Sequence, residues 1–212
     1  MIVEWGLGLL AGALALVYGA AFIERPASRL HTLVRAGAIG LLTLLAVARG
    51  GPVPLVAALA LSALADAALE GRGRIWLSLG LGGYILADLI YALMFIDSGG
   101  GHGALIAEPV RGLGVALALA VFAGLGAWTW DRMGALRGEV TAFVASTAIT
   151  TIAAMTLPHY LWAAALGALC RLASGAAAAS ELVRGARTPL SGQLVWWPYI
   201  AGQGLIAAAI LQ

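Results

Sequence analysis

The side chain with the clearest chemical consequence in this sequence is a carboxylate inside an apolar stretch. Asp66 lies within Leu55–Glu70 (LVAALALSALADAALE), which is almost entirely Leu, Ala and Val before the aspartate. An ionised side chain at membrane depth costs about 2.5–3.5 kcal/mol even on insertion scales. The sequence therefore indicates that Asp66 is shielded, paired or used in chemistry.

Three other charged residues are also set deep in apolar segments: Arg35, Asp88 and Arg171. With a rise of about 1.5 Å per residue, Arg35 and Asp66 each lie roughly 7 Å from the same end of their helices. Asp88 and Arg171 fall nearer the middle, within about 5 Å of a common level. Because opposite charges satisfy each other in a low-dielectric interior, the levels predict two ion pairs, Arg35 with Asp66 and Asp88 with Arg171. We interpret Asp88–Arg171 as a structural ion pair and Asp66 as a functional residue.

More polar residues gather at the level of Asp66, on the last two apolar segments. Tyr199 and Gln203 are four residues apart and so share a helix face, where a hydrogen bond between helices is the simplest role. Ser174 and Glu181 lie one above the other on the preceding segment. Together with Asp66 they predict a polar cavity that also contains Arg35, with His31 and Glu70 at its mouth.

Several kinds of site are not indicated. No G-x-S-x-G or H-E-x-x-H motif is present, and His31, His102 and His159 lie beside different connections. The single cysteine, Cys170, cannot form an intramolecular disulfide or a cysteine metal site. We predict no metal, no cofactor and, with a net charge of only +2, no nucleic-acid partner. Carboxylate chemistry in a membrane cavity is the remaining reading.

The composition indicates that membrane-spanning helices position these residues. The chain is 62% hydrophobic and 10% charged, whereas soluble domains are about 45–50% apolar and about 25% charged. A spanning helix needs about 20 mostly apolar residues. Eight segments qualify, and we expect residues 1–212 to form one all-α domain, a polytopic bundle of eight transmembrane helices. The segments are Ile2–Phe22, Leu30–Ala48, Val53–Leu69, Ile75–Ile96, Val110–Trp130, Leu136–Leu157, Tyr160–Val183 and Leu194–Leu211.

The arginines predict the orientation, since positive charge collects on the cytoplasmic side. The odd-numbered connections carry Arg25, Arg29, Arg72, Arg74, Arg132, Arg137, Arg184 and Arg187, and the even-numbered ones only Arg49 and Arg111. We therefore expect both termini outside, in a multi-pass protein of a bacterial inner membrane. Gly8-Leu-Leu-Ala-Gly12 is a small-xxx-small site, for which we favour close packing within the bundle over a homodimer interface.

The sequence motifs around these residues resemble those of a known family, the YhhN-like lysoplasmalogenases. The run Ser62-Ala-Leu-Ala-Asp66-Ala-Ala-Leu69 is similar to its Ser/Gly-Asp signature, and Tyr199-x-x-x-Gln203 to its closing Tyr/Gln helix. Leu77–Tyr91, which contains Asp88, is similar to the following helix of the family. Gly167-Ala168-Leu169 with Ala173-Ser174 resembles the second Ser-Asp motif. The resemblance covers essentially the whole chain in helix number, spacing and length.

The resemblance implies an integral membrane hydrolase that cleaves the vinyl ether bond of lysoplasmalogens to a fatty aldehyde and a glycerophospho-ethanolamine or -choline. Two aspartates are thought to carry this chemistry in the family. A carboxylic acid with a raised pKa can protonate the vinyl ether carbon, and a second carboxylate can activate water. The sequence departs from the family at Gly175, which replaces the second aspartate, at Arg35-Ala36, which replaces Lys-Pro, and at Asp88, which replaces a histidine.

These departures leave the second carboxylate to Glu181 or Asp88. We assign catalysis to Asp66 and Glu181, because Glu181 is closer to Asp66 in estimated depth. Lysophospholipid binding is assigned to Arg35, Ser174, Tyr199 and Gln203. The alternative is a homologue that lost catalysis and binds or transports lipid, which Gly175 favours. An ion or proton transporter that uses Asp66 and Asp88 ranks third, because the sequence shows no broken helices or inverted repeat.

Overall fold

The computed structural model of the chain describes residues 2–101, 103, 105, 108–185 and 188–212. Within these ranges the chain folds into helices and contains no strand, which confirms the all-α prediction. His102 and Arg187, named above, lie outside the described residues. The helices are α1 (Ile2–Val17), α2 (Arg29–Ala48), α3 (Val53–Leu69), α4 (Arg74–Ser98), α5 (Pro109–Trp130), α6 (Arg137–Ala154), α7 (Trp162–Arg184) and α8 (Pro189–Ile210).

The helix ends follow local chemistry. The first helix continues as a π-helical turn over Tyr18–Phe22. At the end of α7, Gly185 takes a left-handed conformation with φ of 65°, which glycine adopts without steric cost. The last helix begins five residues before the predicted Leu194. Thr188 and Ser191 form a capping box there, and Pro189 occupies the first turn, where its missing N–H costs nothing.

Five of the described helices are long and apolar enough to cross a membrane: α1 with its π-helical turn, α2, α4, α5 and α7 with the short turn before it. The third helix is apolar but has only 17 residues. Both α6 and α8 carry buried polar side chains, among them Thr147, Tyr199 and Gln203. The chain is therefore a polytopic membrane protein, as predicted.

The helices pack mostly in chain order, except at α5. Contacts run from α1 to α2, α2 to α3, α3 to α4, α4 to α6, α6 to α7 and α7 to α8. The eighth helix also contacts α2 and α3, so seven helices enclose one interior. The fifth helix packs on the outside, against α6 and α7. This arrangement brings the inner faces of α2, α3, α4 and α8 together at one end of the bundle.

Two glycines set the closest helix contact. A Cβ atom on Gly167 of α7 would lie 2.8 Å from the carbonyl oxygen of Gly202 of α8, and one on Gly202 would lie 2.7 Å from that of Gly167. Small residues allow membrane helices to approach in this way. Of the two glycines for which we favoured close packing, Gly8 lies against α2, since a Cβ there would be 3.8 Å from Leu45. Gly12 is exposed, and a Cβ there would contact nothing within 4 Å. Whether that face pairs with a second copy stays a prediction.

Candidate functional site

Four helices converge on the carboxylate of Asp66, which is fully buried near the end of α3. Its Oδ1 accepts from Nε of Arg35 on α2 at 2.8 Å and from the hydroxyl of Tyr84 on α4 at 2.6 Å. Its Oδ2 accepts from the hydroxyl of Tyr199 on α8 at 2.8 Å. Both oxygens are thus held by donors, so the charge has the partners that burial demands.

Arg35 links Asp66 to a second carboxylate. Its Nη1 donates to Oε1 of Glu70 at 3.0 Å, and Nδ1 of His31 lies 2.9 Å from Oε2 of the same glutamate. His31 is 2% exposed, so it lies inside the bundle rather than at an open mouth. The chain His31–Glu70–Arg35–Asp66 therefore ties the start of α2 to the end of α3.

Aromatic rings wall this cluster on the side of α1 and α8. The rings of Tyr84 and Tyr199 meet edge to face, with centroids 5.8 Å apart. Trp196 is 2% exposed, contacts Tyr18 and Tyr199, and donates from its indole nitrogen to the carbonyl of Ala15 at 3.0 Å. Paired aromatic rings of this kind fix one another's orientation, so Tyr199 is held toward Asp66.

A second polar cluster lies one helical turn along α4, around Asp88. Arg171 of α7 donates from Nη2 to Oδ1 of Asp88. Oδ2 accepts from the hydroxyls of Ser146 and Thr147 on α6, at 3.0 Å and 2.9 Å. Thr150 donates to the backbone carbonyl of Asp88 at 2.7 Å. The structure thus contains both predicted charge contacts, Arg35 with Asp66 and Arg171 with Asp88.

Gln203 belongs to this second cluster, not to the first. Its Oε1 accepts from the hydroxyl of Tyr91 at 2.8 Å, and the guanidinium of Arg171 lies 5.1 Å from the centroid of the Tyr91 ring. The predicted convergence of Gln203 with Asp66 is therefore wrong. Tyr199 and Gln203 share a face of α8 but are one turn apart, about 6 Å, which is enough to place them in different clusters.

An inner cavity of about 60 Å³ lies between the two clusters. Its walls include Arg35, Tyr84 and Tyr199 from the Asp66 side and Thr147 and Arg171 from the Asp88 side. That volume holds a few water molecules, since one water needs about 10–15 Å³ measured this way. Neither Asp66 nor Asp88 lines it, so each carboxylate reaches the cavity only through groups that contact it.

An outer cavity of about 390 Å³ adjoins the inner one, and Arg35, Tyr84 and Phe143 line both. Its wall is mainly apolar. The side chains that make it so are Leu69, Leu77, Leu81, Leu182 and Val195. Glu181 lies on this outer wall and accepts from the hydroxyl of Ser191. The predicted partner of Asp66 therefore shares a cavity with Arg35 but is not among the groups that contact Asp66.

Ser174 and Gly175 line the inner cavity, side by side on α7. The hydroxyl of Ser174 donates to the carbonyl of Val195 at 2.7 Å. A Cβ on Gly175 would meet Thr147 at 3.4 Å and Phe143 at 3.5 Å, which is ordinary van der Waals contact. The position thus has room for the start of a side chain.

Sequence reasoning missed Tyr84, which makes the shortest contact to Asp66. The signal was available, because Tyr84, Asp88 and Tyr91 are spaced i, i+4, i+7 and must share one face of α4. It also missed Ser146, Thr147 and Thr150, whose spacing places three hydroxyls on the face of α6 that packs against α4. Among the described residues, no group of three or more His, Cys, Asp or Glu could hold a metal ion.

Two grooves with more volume than either of these cavities lie elsewhere. One of about 700 Å³ runs between α2 and α3, and one of about 490 Å³ lies between α5 and α7. The second contains Arg111, but its guanidinium already donates hydrogen bonds to Glu108 and to the backbone carbonyls of Met155 and Leu157. Volume alone therefore does not mark the chemistry of this protein.

The comparisons with known proteins agree with the resemblance seen in the sequence. The sequence model of the YhhN family matches residues 30–210, from the start of α2 to the end of α8. No curated protein and no solved structure matches the chain. All the side chains that contact Asp66 and Asp88 fall within the matched range.

Proposed function

Since the chain belongs to the YhhN family, we propose that it is a membrane hydrolase that cleaves the vinyl ether bond of lysoplasmalogens. The products are a fatty aldehyde and a glycerophospho-ethanolamine or -choline. The observation that carries the proposal is the buried Asp66, whose two tyrosine partners face a water-sized cavity next to a larger apolar one. A lipid substrate needs such a pair of compartments, one for its chain and one for the reacting water.

The chemistry begins with a proton. Transfer to the β-carbon of the vinyl ether gives an oxocarbenium ion, water adds to the adjacent carbon, and the hemiacetal collapses to aldehyde and alcohol. Asp66 is the source of the proton. Because Asp66 does not line the cavity, the proton passes through the hydroxyl of Tyr84 or Tyr199. In the reacting state Asp66 is protonated, and one of these hydroxyls turns to accept its proton. That hydroxyl gives its own proton to the vinyl ether carbon, which leaves Asp66 ionised and the tyrosine neutral.

The substrate lies in the outer cavity. Leu69, Leu77 and Leu81 offer an apolar wall for the alkenyl chain. Arg35, which lines both cavities, is the cation for the lipid phosphate, because a guanidinium matches phosphate geometry. Ser174 lines the inner cavity and positions the glycerol or the water. Glu181 is one candidate for the second carboxylate, acting from the wall of the outer cavity.

The test is aldehyde release by the purified protein in detergent, with lysoplasmenyl-ethanolamine as substrate. The wild type is expected to release aldehyde, and Asp66→Asn is expected to lose roughly 10²- to 10⁴-fold in turnover, the range of general acid catalysis. An acyl lysophosphatidylethanolamine of the same chain length is the matched substrate control and should give no aldehyde. Aldehyde release that survives in Asp66→Asn would refute the role of Asp66.

A second candidate function is lipid binding without turnover. Gly175 supports it, because with glycine there no carboxylate of the described residues lines the inner cavity. This function predicts no aldehyde from the wild type, together with saturable binding of the same lysolipid that Asp66→Asn leaves unchanged. Turnover in Gly175→Asp but not in the wild type would then identify a hydrolase fold that has lost one acid.

We also propose that the protein lies in a bacterial inner membrane with both termini outside, on the strength of the arginine distribution. The cavities then open toward the cytoplasm, at the end of the bundle where α3 ends and α4 begins. Labelling of single cysteines with a membrane-impermeant reagent tests this, in a Cys170→Ala background. Gly134→Cys, between α5 and α6, should be protected in intact cells, and Gly100→Cys, after α4, should be labelled.

A further inference from the structure

The inner cavity is bounded by two carboxylates that reach it in the same manner. On one side Tyr84 and Tyr199 line the cavity and donate to Asp66. On the other side Thr147 lines it and donates to Asp88. Both aspartates are fully buried and neither lines the cavity. Hydroxyl groups therefore stand between each acid and any molecule in the cavity.

Thr147 is the only hydroxyl-bearing partner of Asp88 that lines the cavity, among the residues the structure describes. Ser146, the other hydroxyl on Oδ2, does not line it. Thr147 is 4% exposed, and its Oγ1 lies 2.9 Å from Asp88 Oδ2 and 3.0 Å from the carbonyl of Phe143. One hydroxyl proton serves two acceptors, so the oxygen keeps a lone pair for a third group.

The arginine beside Asp88 keeps the pair compatible with burial. Arg171 donates from Nη2 to Oδ1 of Asp88, and its own Nε and Nη1 form no hydrogen bond with the described residues. Arg171 is thus the counterion of Asp88, and it leaves Oδ2 of the carboxylate to the hydroxyls of Ser146 and Thr147. The addition of water needs little help from a base, because an oxocarbenium ion is a strong electrophile.

We propose that Thr147, backed by Asp88, is the group that activates water in the inner cavity. This inference rests on the proposed vinyl ether hydrolysis and deepens it. As the water oxygen bonds to the oxocarbenium carbon, one water proton moves to Oγ1 of Thr147 and the threonine proton moves to Oδ2 of Asp88. Thr147 ends unchanged, Asp88 ends protonated, and the product of the step is the neutral hemiacetal. Asp66 gives the first proton and Asp88 takes the second.

The experiment is steady-state turnover of lysoplasmenyl-ethanolamine by purified variants in detergent. Thr147→Val keeps the shape of the side chain and removes the hydroxyl, so kcat is expected to fall about 10²-fold while KM stays unchanged. Thr147→Ser restores a hydroxyl and should turn over close to the wild type. Thr151→Val is the matched control, because Thr151 is a buried threonine one turn along α6 that contacts the carbonyl of Ala168 instead of Asp88.

A second variant keeps the test decisive. A Cβ at residue 175 would contact Thr147 at 3.4 Å, so Gly175→Asp adds a carboxylate next to the missing hydroxyl. Turnover lost in Thr147→Val should return in Thr147→Val/Gly175→Asp. If Thr147→Val is too unstable to purify, Thr147→Ala with and without Gly175→Asp gives the same comparison.

Three results would overturn the proposal. Thr147→Val that turns over as fast as the wild type would overturn it. Equal losses in Thr147→Val and Thr151→Val would also do so, because they would mean that only the packing of α6 matters. If Glu181→Gln abolishes turnover and Thr147→Val retains wild-type turnover, the base is Glu181 and not Thr147 with Asp88. A wild type that releases no aldehyde refutes the hydrolase itself, and that failure is distinct from one in which the wild type is active and Thr147→Val equally so.

Discussion

Asp66 and Asp88 are both fully buried and each contacts one arginine, but their surroundings differ. Asp66 is held by phenols from two helices, and its arginine is shared with Glu70. Asp88 is held by two hydroxyls of a single helix, and its arginine contacts no second carboxylate among the described residues. The donors to Asp66 come from α2, α4 and α8, whereas those to Asp88 come from α6 and α7. Two equally buried carboxylates are thus held by chemically different neighbours, phenols at Asp66 and aliphatic hydroxyls at Asp88.

The largest effect on stability is expected from breaking the pair of Asp88 and Arg171. Asp88→Asn or Arg171→Gln alone leaves one buried charge without its counterion. We expect each variant to lower the free energy of unfolding by about 3–5 kcal/mol. The double variant Asp88→Asn/Arg171→Gln removes both charges and should recover most of the lost stability. The unfolding midpoint in detergent measures this.

The same double variant sharpens the comparison between structure and chemistry. If Asp88 takes a proton from water through Thr147, the double variant folds but turns over poorly. If Asp88–Arg171 is only the structural ion pair that the sequence predicted, the double variant is both folded and active. Aldehyde release by a variant of wild-type stability separates the two roles.

A smaller effect is expected from the phenols that hold Asp66. Tyr84→Phe or Tyr199→Phe removes one donor to a buried carboxylate, and hydrogen bonds to charged groups contribute about 1.5–3 kcal/mol. Tyr18→Phe is the matched control, because the hydroxyl of Tyr18 is buried and forms no hydrogen bond with the described residues. Thermal unfolding should show a loss for the first two variants and none for Tyr18→Phe. Equal midpoints for all three would mean that the phenols do not support Asp66.

The smallest effect is expected at the close contact between Gly167 of α7 and Gly202 of α8. Gly167→Ala and Gly202→Ala each place a Cβ within 3 Å of a backbone oxygen of the facing helix, and forcing α7 from α8 should cost about 1–3 kcal/mol. Gly12→Ala, where a Cβ meets nothing, should keep or raise the unfolding midpoint. A tolerated alanine at both residue 167 and residue 202 would contradict the close approach.

The sequence predicted the helices and the charge contacts because both follow from general costs in a membrane. Apolar segments of spanning length must be helical, and buried charges at a common level must meet. The pairing of Asp88 with Arg171 needed only their depth. The start of α8 was harder, because Pro189 reads as a breaker in a sequence although it is favoured in a first helical turn.

Depths estimated from helix ends that are uncertain by about 2–4 residues do not separate neighbouring helical turns, and two site errors follow from that. Gln203 lies on the same face as Tyr199 but one turn away, and that turn separates the two clusters. Glu181 lies on α7 two turns beyond Ser174, about 10 Å along the axis, and therefore on the outer cavity. Tyr84 was missed because a tyrosine in an apolar helix carries no charge that needs a partner. Its spacing from Asp88 and Tyr91 was the available signal.

The central claim is that Asp66 supplies the proton to the vinyl ether carbon. Its most direct test is hydrolysis of lysoplasmenyl-ethanolamine by the wild-type protein in D₂O. The aldehyde is reduced to the alcohol in the reaction mixture, and mass spectrometry measures the deuterium content of the alcohol. Protonation of the vinyl ether carbon by an exchangeable group predicts one deuterium on the carbon next to the former carbonyl, and Asp66→Asn should lose this product. Aldehyde without that deuterium, or labelled aldehyde undiminished in Asp66→Asn, would contradict the account.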